Sequence, residues 1–504
     1  MMDASATPAA SSTRPRGTFA RAASLQLLVL GALLVAAGIV QLNWLPALAS
    51  PDIWRHLSVG TWTLDNHSIP RNILFSQNSD LPWIDTSWLF DAPTAFAVKV
   101  LGLRGLPFLG MAFAFAIAIS VFLLARGARR GFWSGAVLTA IALYLLAGLP
   151  LRSSVASVVL YTVMLWLLAD VRSTGGLRNL YLLPPLFLLW SNLDIQFVYG
   201  LIALALFSMA EAITNFAERR NLQPQSSQLL LRTAVIVTGA SFAATLGNPY
   251  GYHLWGAALR SVSLFATDPY IAEMHALRFR QPQDYVLLLL VMTAFFAIGR
   301  RHARDLYSIL LLTVCSIISF HLQRDVWLVT LAAVAMLSQS MDASVPGEVH
   351  SFDSGSPSWL LAASFVIALV VLLAIFAAKV PAKRDALLAK IGEKFPVRAS
   401  DYIRQHDLSK PLFNNYDWGS FLTWYLPEYP VAIDNRIDAY SEDLTLAYFK
   451  LTTGQVPMQD DPALSRAATI LLEADSEMGK ALSTLPGYKQ VYLDDQAMVL
   501  VREY

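Results

Sequence analysis

The chain has 504 residues, of which 55% are apolar and only 14% charged, with a formal net charge of +1. A soluble domain carries nearer a quarter charged residues, so that class is excluded. That net charge says nothing about partners, no basic run suggests nucleic acid, and the single cysteine, Cys315, excludes an internal disulfide or a thiolate metal cluster.

In chain order, a Ser/Ala/Pro-rich stretch at 1–21 carries Arg14, Arg16 and Arg21 and is expected to be a disordered cytoplasmic tail ahead of a retained signal anchor. Apolar runs long enough to cross ~30 Å of hydrocarbon predict spans near 22–42, 105–125, 131–149, 153–170, 180–193, 195–215, 230–247, 284–299, 304–321, 325–340 and 358–379. The stretch 88–102 is also apolar, but counting it as a span would turn most basic loops outward. Without it, Arg126/Arg129/Arg130, Arg172/Arg178, Arg219/Arg220/Arg232 and Arg300/Arg301/Arg304 all fall on the cytoplasmic side, as the positive-inside rule requires. Residues 88–102 therefore read as a helix lying on the outer interface, with Ser87, Asp91 and Thr94 on one face.

The linker 341–357 is assigned to the inner side. From about residue 381 the composition becomes that of a soluble domain, with 13 Lys/Arg against 18 Asp/Glu. Short β-rich runs at 430–434, 468–472, 490–493 and 497–502 alternate there with helix-like stretches at 444–451 and 476–485. The expected fold is a polytopic all-α membrane protein of about eleven transmembrane helices with a small C-terminal α/β soluble domain. Its parts are a membrane domain at 22–379, with a large first outer loop at 43–104, and an extracytoplasmic domain at 380–504. The expected location is a bacterial inner membrane, with the N-terminus cytoplasmic.

Polar variety concentrates outside, above all in the first outer loop. Asp52 follows the first span, after Pro51 and before Trp54-Arg55-His56. A carboxylate there can take the proton of an acceptor hydroxyl or hold a cation. It can equally cap a helix N-terminus, and the spacing leaves both readings open. Arg324, in His321-Leu322-Gln323-Arg324-Asp325, suits a phosphate or an interface anchor. No Gly-rich phosphate loop is present, which disfavours nucleotide-sugar use.

An acid just after span one, a long outer loop with an interfacial helix, and a second span ending in a basic cluster resemble the C-type (GT-C) membrane glycosyltransferases. Within that superfamily the loop segments Asp52-Ile53-Trp54-Arg55-His56-Leu57-Ser58-Val59-Gly60 and Pro82-Trp83-Ile84-Asp85-Thr86-Ser87-Trp88-Leu89-Phe90 resemble an uncharacterised bacterial branch. Asn248-Pro249-Tyr250-Gly251 extends that match. Tyr270-Ile271-Ala272-Glu273 and Asn415-Tyr416-Asp417-Trp418-Gly419, followed by Asp434-Asn435-Arg436, are similar to acceptor-recognising motifs of the oligosaccharyltransferase catalytic subunit.

The resemblance implies transfer of a sugar from a polyprenyl-phosphate carrier to an extracytoplasmic glycan, lipid or protein, with Asp52 as general base. It implies substrate or acceptor binding by Trp54, His56, Asp85, Glu273, Tyr416, Asp417, Trp418, Asp434 and Arg436. Arg152 and Arg324 are the candidates for the carrier phosphate. A divalent cation, Mg or Mn, is the one cofactor left open, with Asp52, Asp194 and Glu273 as its candidate ligands. The loop Leu149-Pro150-Leu151-Arg152-Ser153-Ser154 departs from the oligosaccharyltransferase pattern, because it lacks the paired acids and carries an arginine, whose fork matches phosphate oxygens. Two other readings stand beside this one: transfer of a preassembled oligosaccharide, and a non-catalytic component of polysaccharide assembly or export.

Overall fold

The computed structural model describes residues 16–43, 50–127, 131–147, 149–218, 225–265, 272–300, 305–343, 358–381, 383–436, 439–458 and 461–503. Most of the expected tail and of the linker, together with Tyr270, Ile271, Arg129, Arg130, Arg219, Arg220, Arg301 and Arg304, lies outside the described residues. The first three quarters of the chain are helical. The helices are α1 (Arg16–Asn43), α2 (Pro51–Asn66), α3 (Trp88–Leu101), α4 (Gly105–Ala125), α5 (Phe132–Leu145), α6 (Ser154–Thr174) and α7 (Leu183–Leu193). They continue with α8 (Phe197–Glu218), α9 (Gln225–Ala244), α10 (His253–Phe265), α11 (Pro282–Gly299), α12 (Leu306–His321), α13 (Val326–Ala343) and α14 (Ser358–Lys379).

Among the described residues, six segments are long and apolar enough to cross a membrane: Ala23–Val40, Trp88–Ala125, Ser154–Thr174, Phe197–Ala217, Pro282–Gly299 and Trp359–Lys379. The other five expected spans take different forms. Three are shorter apolar helices, at Phe132–Leu145, Gln228–Ala244 and Leu306–His321. The run 180–193 divides into a 3-10 turn and the 11-residue α7, which starts where Pro184 and Pro185 suit a first helical turn. Helix α13 forms the axis of the bundle, with Trp327 to Met336 almost wholly buried, as a helix apolar on every side requires. The long apolar run Trp88–Ala125 is broken by a 3-10 turn at Gly102–Arg104, where Gly102 takes φ 64°.

After α14 come α15 (Arg384–Ile391), α16 (Val397–Gln405), β1 (Leu412–Asn414), α17 (Tyr416–Tyr425), α18 (Glu442–Thr452), α19 (Pro462–Arg466), β2 (Thr469–Glu473), α20 (Glu477–Thr484), β3 (Tyr488–Leu493) and β4 (Ala497–Arg502). The strands form one sheet of order β1-β2-β4-β3, with β1 parallel to β2 and the rest antiparallel. The expected β-run at 430–434 is no strand. Only Val431 bridges, to Ser76 and to Leu412.

Helix α2 and the stretch that joins it to α3 complete the core of this C-terminal segment. Val59, Ile73 and Trp83 pack in one cluster with Phe413, Ile470 and Leu500. Gln77 N–H donates to the Val431 carbonyl (2.9 Å), and Val431 N–H donates to that of Phe75 (3.0 Å). Trp54, read from sequence as a binding residue, is fully buried instead. Its ring meets those of Phe395, Phe421 and Trp424 at centroid distances of 5.8, 5.4 and 4.6 Å. Aromatic pairs of this kind contribute about 0.5–1.5 kcal/mol each beyond area burial, so Trp54 joins α2 to the C-terminal segment.

The crossing of α2 over α3 depends on Gly60. A Cβ there would lie 2.2 Å from the Asp91 carbonyl oxygen. Gly→Ala in a helix ordinarily stabilises by roughly 0.5–1 kcal/mol, but the clashing atom is backbone and cannot swing away. Gly60→Ala is therefore expected to lower the thermal unfolding temperature in detergent, by an overpacking cost of about 1–3 kcal/mol. An unchanged or raised temperature would show that the two helices can part freely.

Candidate functional site

Helix α2 opens with Pro51, which lacks the N–H that would go unpaired at that position. Asp52 stands in the first turn, where the helix dipole favours an anion. The cap position belongs to Ser50, so capping does not account for Asp52. Its side chain is 27% exposed and turned into a polar cleft of about 750 Å³. Arg152 Nη1 donates to Asp52 Oδ2 at 3.4 Å, and Asn435 Nδ2 donates to Oδ1. Burial alone would raise the Asp52 carboxyl, but the charges of Arg152 and Arg55 hold it below the usual carboxylate range.

Arg152, at the mouth of α6, is itself fixed. Its Nε donates to Ser154 Oγ (3.0 Å) and its Nη1 to Glu273 Oε2 (2.8 Å). Glu273, on a 3-10 turn at Ala272–Met274, is 57% exposed. Asp194, just past α7, accepts from Ser153 Oγ (2.7 Å) on Oδ1 and from Ser157 Oγ (2.5 Å) and Gln196 N–H (3.3 Å) on Oδ2. Arg324 lies beside Asp325, its Nε 3.7 Å from Oδ1. Asp325, wholly buried, accepts from Gln196 Nε2 (2.9 Å) and Tyr199 OH (2.6 Å).

Below Asp52 lies a buried polar ladder. His56 Nδ1 and Asp91 Oδ1 are 2.6 Å apart, and Arg55 Nη2 is 3.3 Å from His56 Nε2. A guanidinium only donates, so Nε2 is the acceptor and Nδ1 carries the proton toward Asp91. Burial, then the Arg55 charge, keeps His56 well below its ordinary pKa, and the ring is neutral. Asp85, beside Asp91, is pushed well above the carboxylate range by burial and by the Asp91 charge. Asp85 Oδ1 accepts from Ser87 N–H at 3.1 Å.

Because folded Asp85 holds a proton that the unfolded chain releases near pH 4, its contribution to stability falls as pH rises above that value. Asp85→Asn, which keeps the acceptor oxygen, is expected to flatten that fall in thermal scans across pH 5–8. An unaltered pH slope would show Asp85 to be charged.

The opposite wall of the cleft comes from the C-terminal segment. Asn415 caps α17 by accepting from Asp417 N–H (2.8 Å), which sets Tyr416 and Asp417 on the cleft. Gly419 lets α17 touch the next loop, since a Cβ would lie 2.2 Å from the Ile433 carbonyl oxygen. In that loop Asp434 and Arg436 pair with each other, almost wholly buried. Asn435 between them faces the other way, its amide oxygen accepting from Ser420 Oγ.

The cleft thus brings together Asp52, His56, Arg152, Asp194, Glu273, Arg324, Tyr416 and Asp417. Trp54, Asp85, Trp418, Asp434 and Arg436 do not line it; they lie behind its walls. Sequence reasoning did not single out Asn435 or Arg55. The signal was present for Asn435, because two oppositely charged residues two apart on an extended turn share one side and leave the middle one on the other. Arg152 and Arg324 also line a second cleft of about 230 Å³, whose other wall is Leu145, Leu149, Leu287 and Trp327.

Neither a family model nor a curated protein matches this chain. Among solved structures, ArnT from Cupriavidus metallidurans, crystallised with undecaprenyl phosphate, is similar to it over 97% of this chain and 98% of that one. The sequence identity is 13% and the TM-score 0.45.

Proposed function

We propose that this chain is a membrane glycosyltransferase that moves a sugar from a polyprenyl-phosphate carrier to a hydroxyl presented outside the cytoplasm. The observation that supports this reading best is the pairing of Asp52 with Arg152 in a cleft shared by helical bundle and C-terminal segment. A transfer of this kind needs a base for the acceptor and a cation for the departing phosphate, side by side. As the acceptor oxygen bonds to the anomeric carbon, its proton passes to Asp52. The carbon–oxygen bond to the phosphate breaks, its electron pair goes to the phosphate oxygen, and Arg152 and Arg324 neutralise the charge that develops there.

A carboxylate held at low pKa is a weak base, so the proton leaves late, when the attacking oxygen has become acidic. The second cleft suits the carrier: its arginines meet the phosphate while its leucines and Trp327 meet the first isoprene units. Tyr416 and Asp417 hold the acceptor against Asp52.

The test is transfer or hydrolysis of a labelled sugar from polyprenyl phosphate by the purified protein in lipid. Arg324→Gln is expected to raise KM for the carrier by about 10- to 100-fold, corresponding to the ~1.5–3 kcal/mol of one charge-assisted hydrogen bond, with a smaller change in kcat. An unchanged KM would remove Arg324 from the carrier site, and no turnover with any polyprenyl-phosphate sugar would overturn the proposed function.

A further inference from the structure

The resemblance to the oligosaccharyltransferases leaves open a divalent cation between carboxylates at the reacting centre, and the residues present do not fit one. Asp52 and Glu273 do converge, but on one nitrogen: Arg152 Nη1 donates to Asp52 Oδ2 at 3.4 Å and to Glu273 Oε2 at 2.8 Å. The guanidinium is 13% exposed and is oriented from its other side by Ser154 Oγ. Asp52 Oδ1 is already taken by the Asn435 amide. The third candidate ligand, Asp194, has both oxygens occupied by serine hydroxyls. Among the described residues no group of three His, Cys, Asp or Glu side chains is arranged to hold a metal ion.

We infer that the Arg152 guanidinium is the resident cation of this site, filling the place between Asp52 and Glu273 where a metal would have to sit. The inference rests on the transferase reading for its catalytic meaning, though not for its structural content. The chemistry follows from the difference between the two kinds of cation. A divalent ion needs carboxylate lone pairs as ligands and a shell it can rebuild around substrate. A guanidinium instead occupies those lone pairs with N–H donors and stays charged at any accessible pH. The charges of Glu273 and Asp52 favour its protonated form despite burial.

Of its two acidic partners, Glu273 is the more exposed, 57% against 27%. An arriving phosphate therefore displaces Glu273 from Nη1, while Asp52 keeps its place as base. Neutralisation of the leaving phosphate is then built into the chain rather than recruited from solution.

Two measurements test this. The first is a Mn²⁺ titration followed by electron paramagnetic resonance on the full chain in detergent. Wild type is expected to show no saturable site at micromolar to sub-millimolar Mn²⁺. Arg152→Asp, which removes the guanidinium and adds a third acid beside Asp52 and Glu273, is expected to gain one. A saturable wild-type site that is lost in Glu273→Gln would overturn the inference, whether or not the Arg152→Asp protein folds. The second is sugar transfer after exhaustive chelation, expected to stay within about twofold of the untreated rate, with Arg152→Gln strongly slowed and not rescued by Mg²⁺ or Mn²⁺. Loss of transfer on chelation with recovery on Mg²⁺ would also overturn it. Absence of transfer under every condition counts instead against the transferase reading, and the Mn²⁺ titration still decides the place of Arg152.

Discussion

Asp52→Asn is expected to lower the rate of sugar transfer by about 10²–10⁴-fold, the range that a positioned general base contributes. The amide oxygen can still accept from Asn435, so the loop that carries Asn435 stays in place. What the substitution removes is the lone pair that takes the acceptor proton. Carrier binding is expected to change little, since Arg152 keeps its bond to Ser154 and Glu273 still yields to the phosphate. The informative comparison is single-turnover transfer, saturating in carrier, alongside carrier binding by the same protein. A fall in the chemical step with binding intact identifies the base. Normal turnover in both Asp52→Asn and Asp52→Ala removes Asp52 from the mechanism.

The acid side of the pH profile gives a second reading of the same residue. Removal of the Arg152 charge lets burial dominate, so the acid limb of kcat/KM in the slowed Arg152→Gln protein is expected to move to higher pH.

The helical character of the bundle was legible because apolar runs report burial directly, and so was the change of composition near residue 381. The span count was less legible. A run such as 180–193 is equally apolar whether it crosses lipid or packs as a short helix behind Pro184 and Pro185. At the site, Asp52 and Arg152 stood out because each is a charge in an apolar neighbourhood, yet nothing local says that they meet. Their contact spans a hundred residues and depends on α2 packing beside the mouth of α6. Trp54 and Trp418 were misread for a related reason: an aromatic in a polar loop can as well be the joint between two parts of a fold as a surface for a sugar. Here the loop's tryptophans Trp54 and Trp83 are buried in cores shared with the C-terminal segment. A loop of this polarity is ordered because another part of the chain covers it.

Arg436→Ala is expected to be the most destabilising single change at the site, by about 3–5 kcal/mol, the cost of leaving one member of a buried pair without the other. Arg436 is 2% exposed and Asp434 wholly buried. The guanidinium meets both Asp434 oxygens through Nε, at 2.9 and 3.0 Å. It also donates from Nη2 to the Leu74 carbonyl at 2.7 Å and lies over the Trp83 ring at 5.1 Å. Tyr440 OH adds a bond to Asp434 Oδ2 at 3.1 Å. Truncation strands the carboxylate, releases the stretch between α2 and α3 at Leu74, and loosens Asn435 on the residue between.

Lysine keeps the charge but not the fork, so Arg436→Lys is expected to lose the tie to Leu74 and recover only part of the stability. Replacing the pair together, Asp434→Leu with Arg436→Met, tests whether the ions serve stability or position. Well-packed apolar substitutes for a buried pair are often neutral or stabilising. The double variant is therefore expected to recover much of the thermal stability lost in Arg436→Ala while transfer stays depressed, because the Asp434 bonds that shape the turn, including the one from Arg436 N–H (2.9 Å), are gone. Full recovery of both would show that Asn435 reaches Asp52 without the pair, and that the 434–436 turn is held by Gly419 and its neighbours instead.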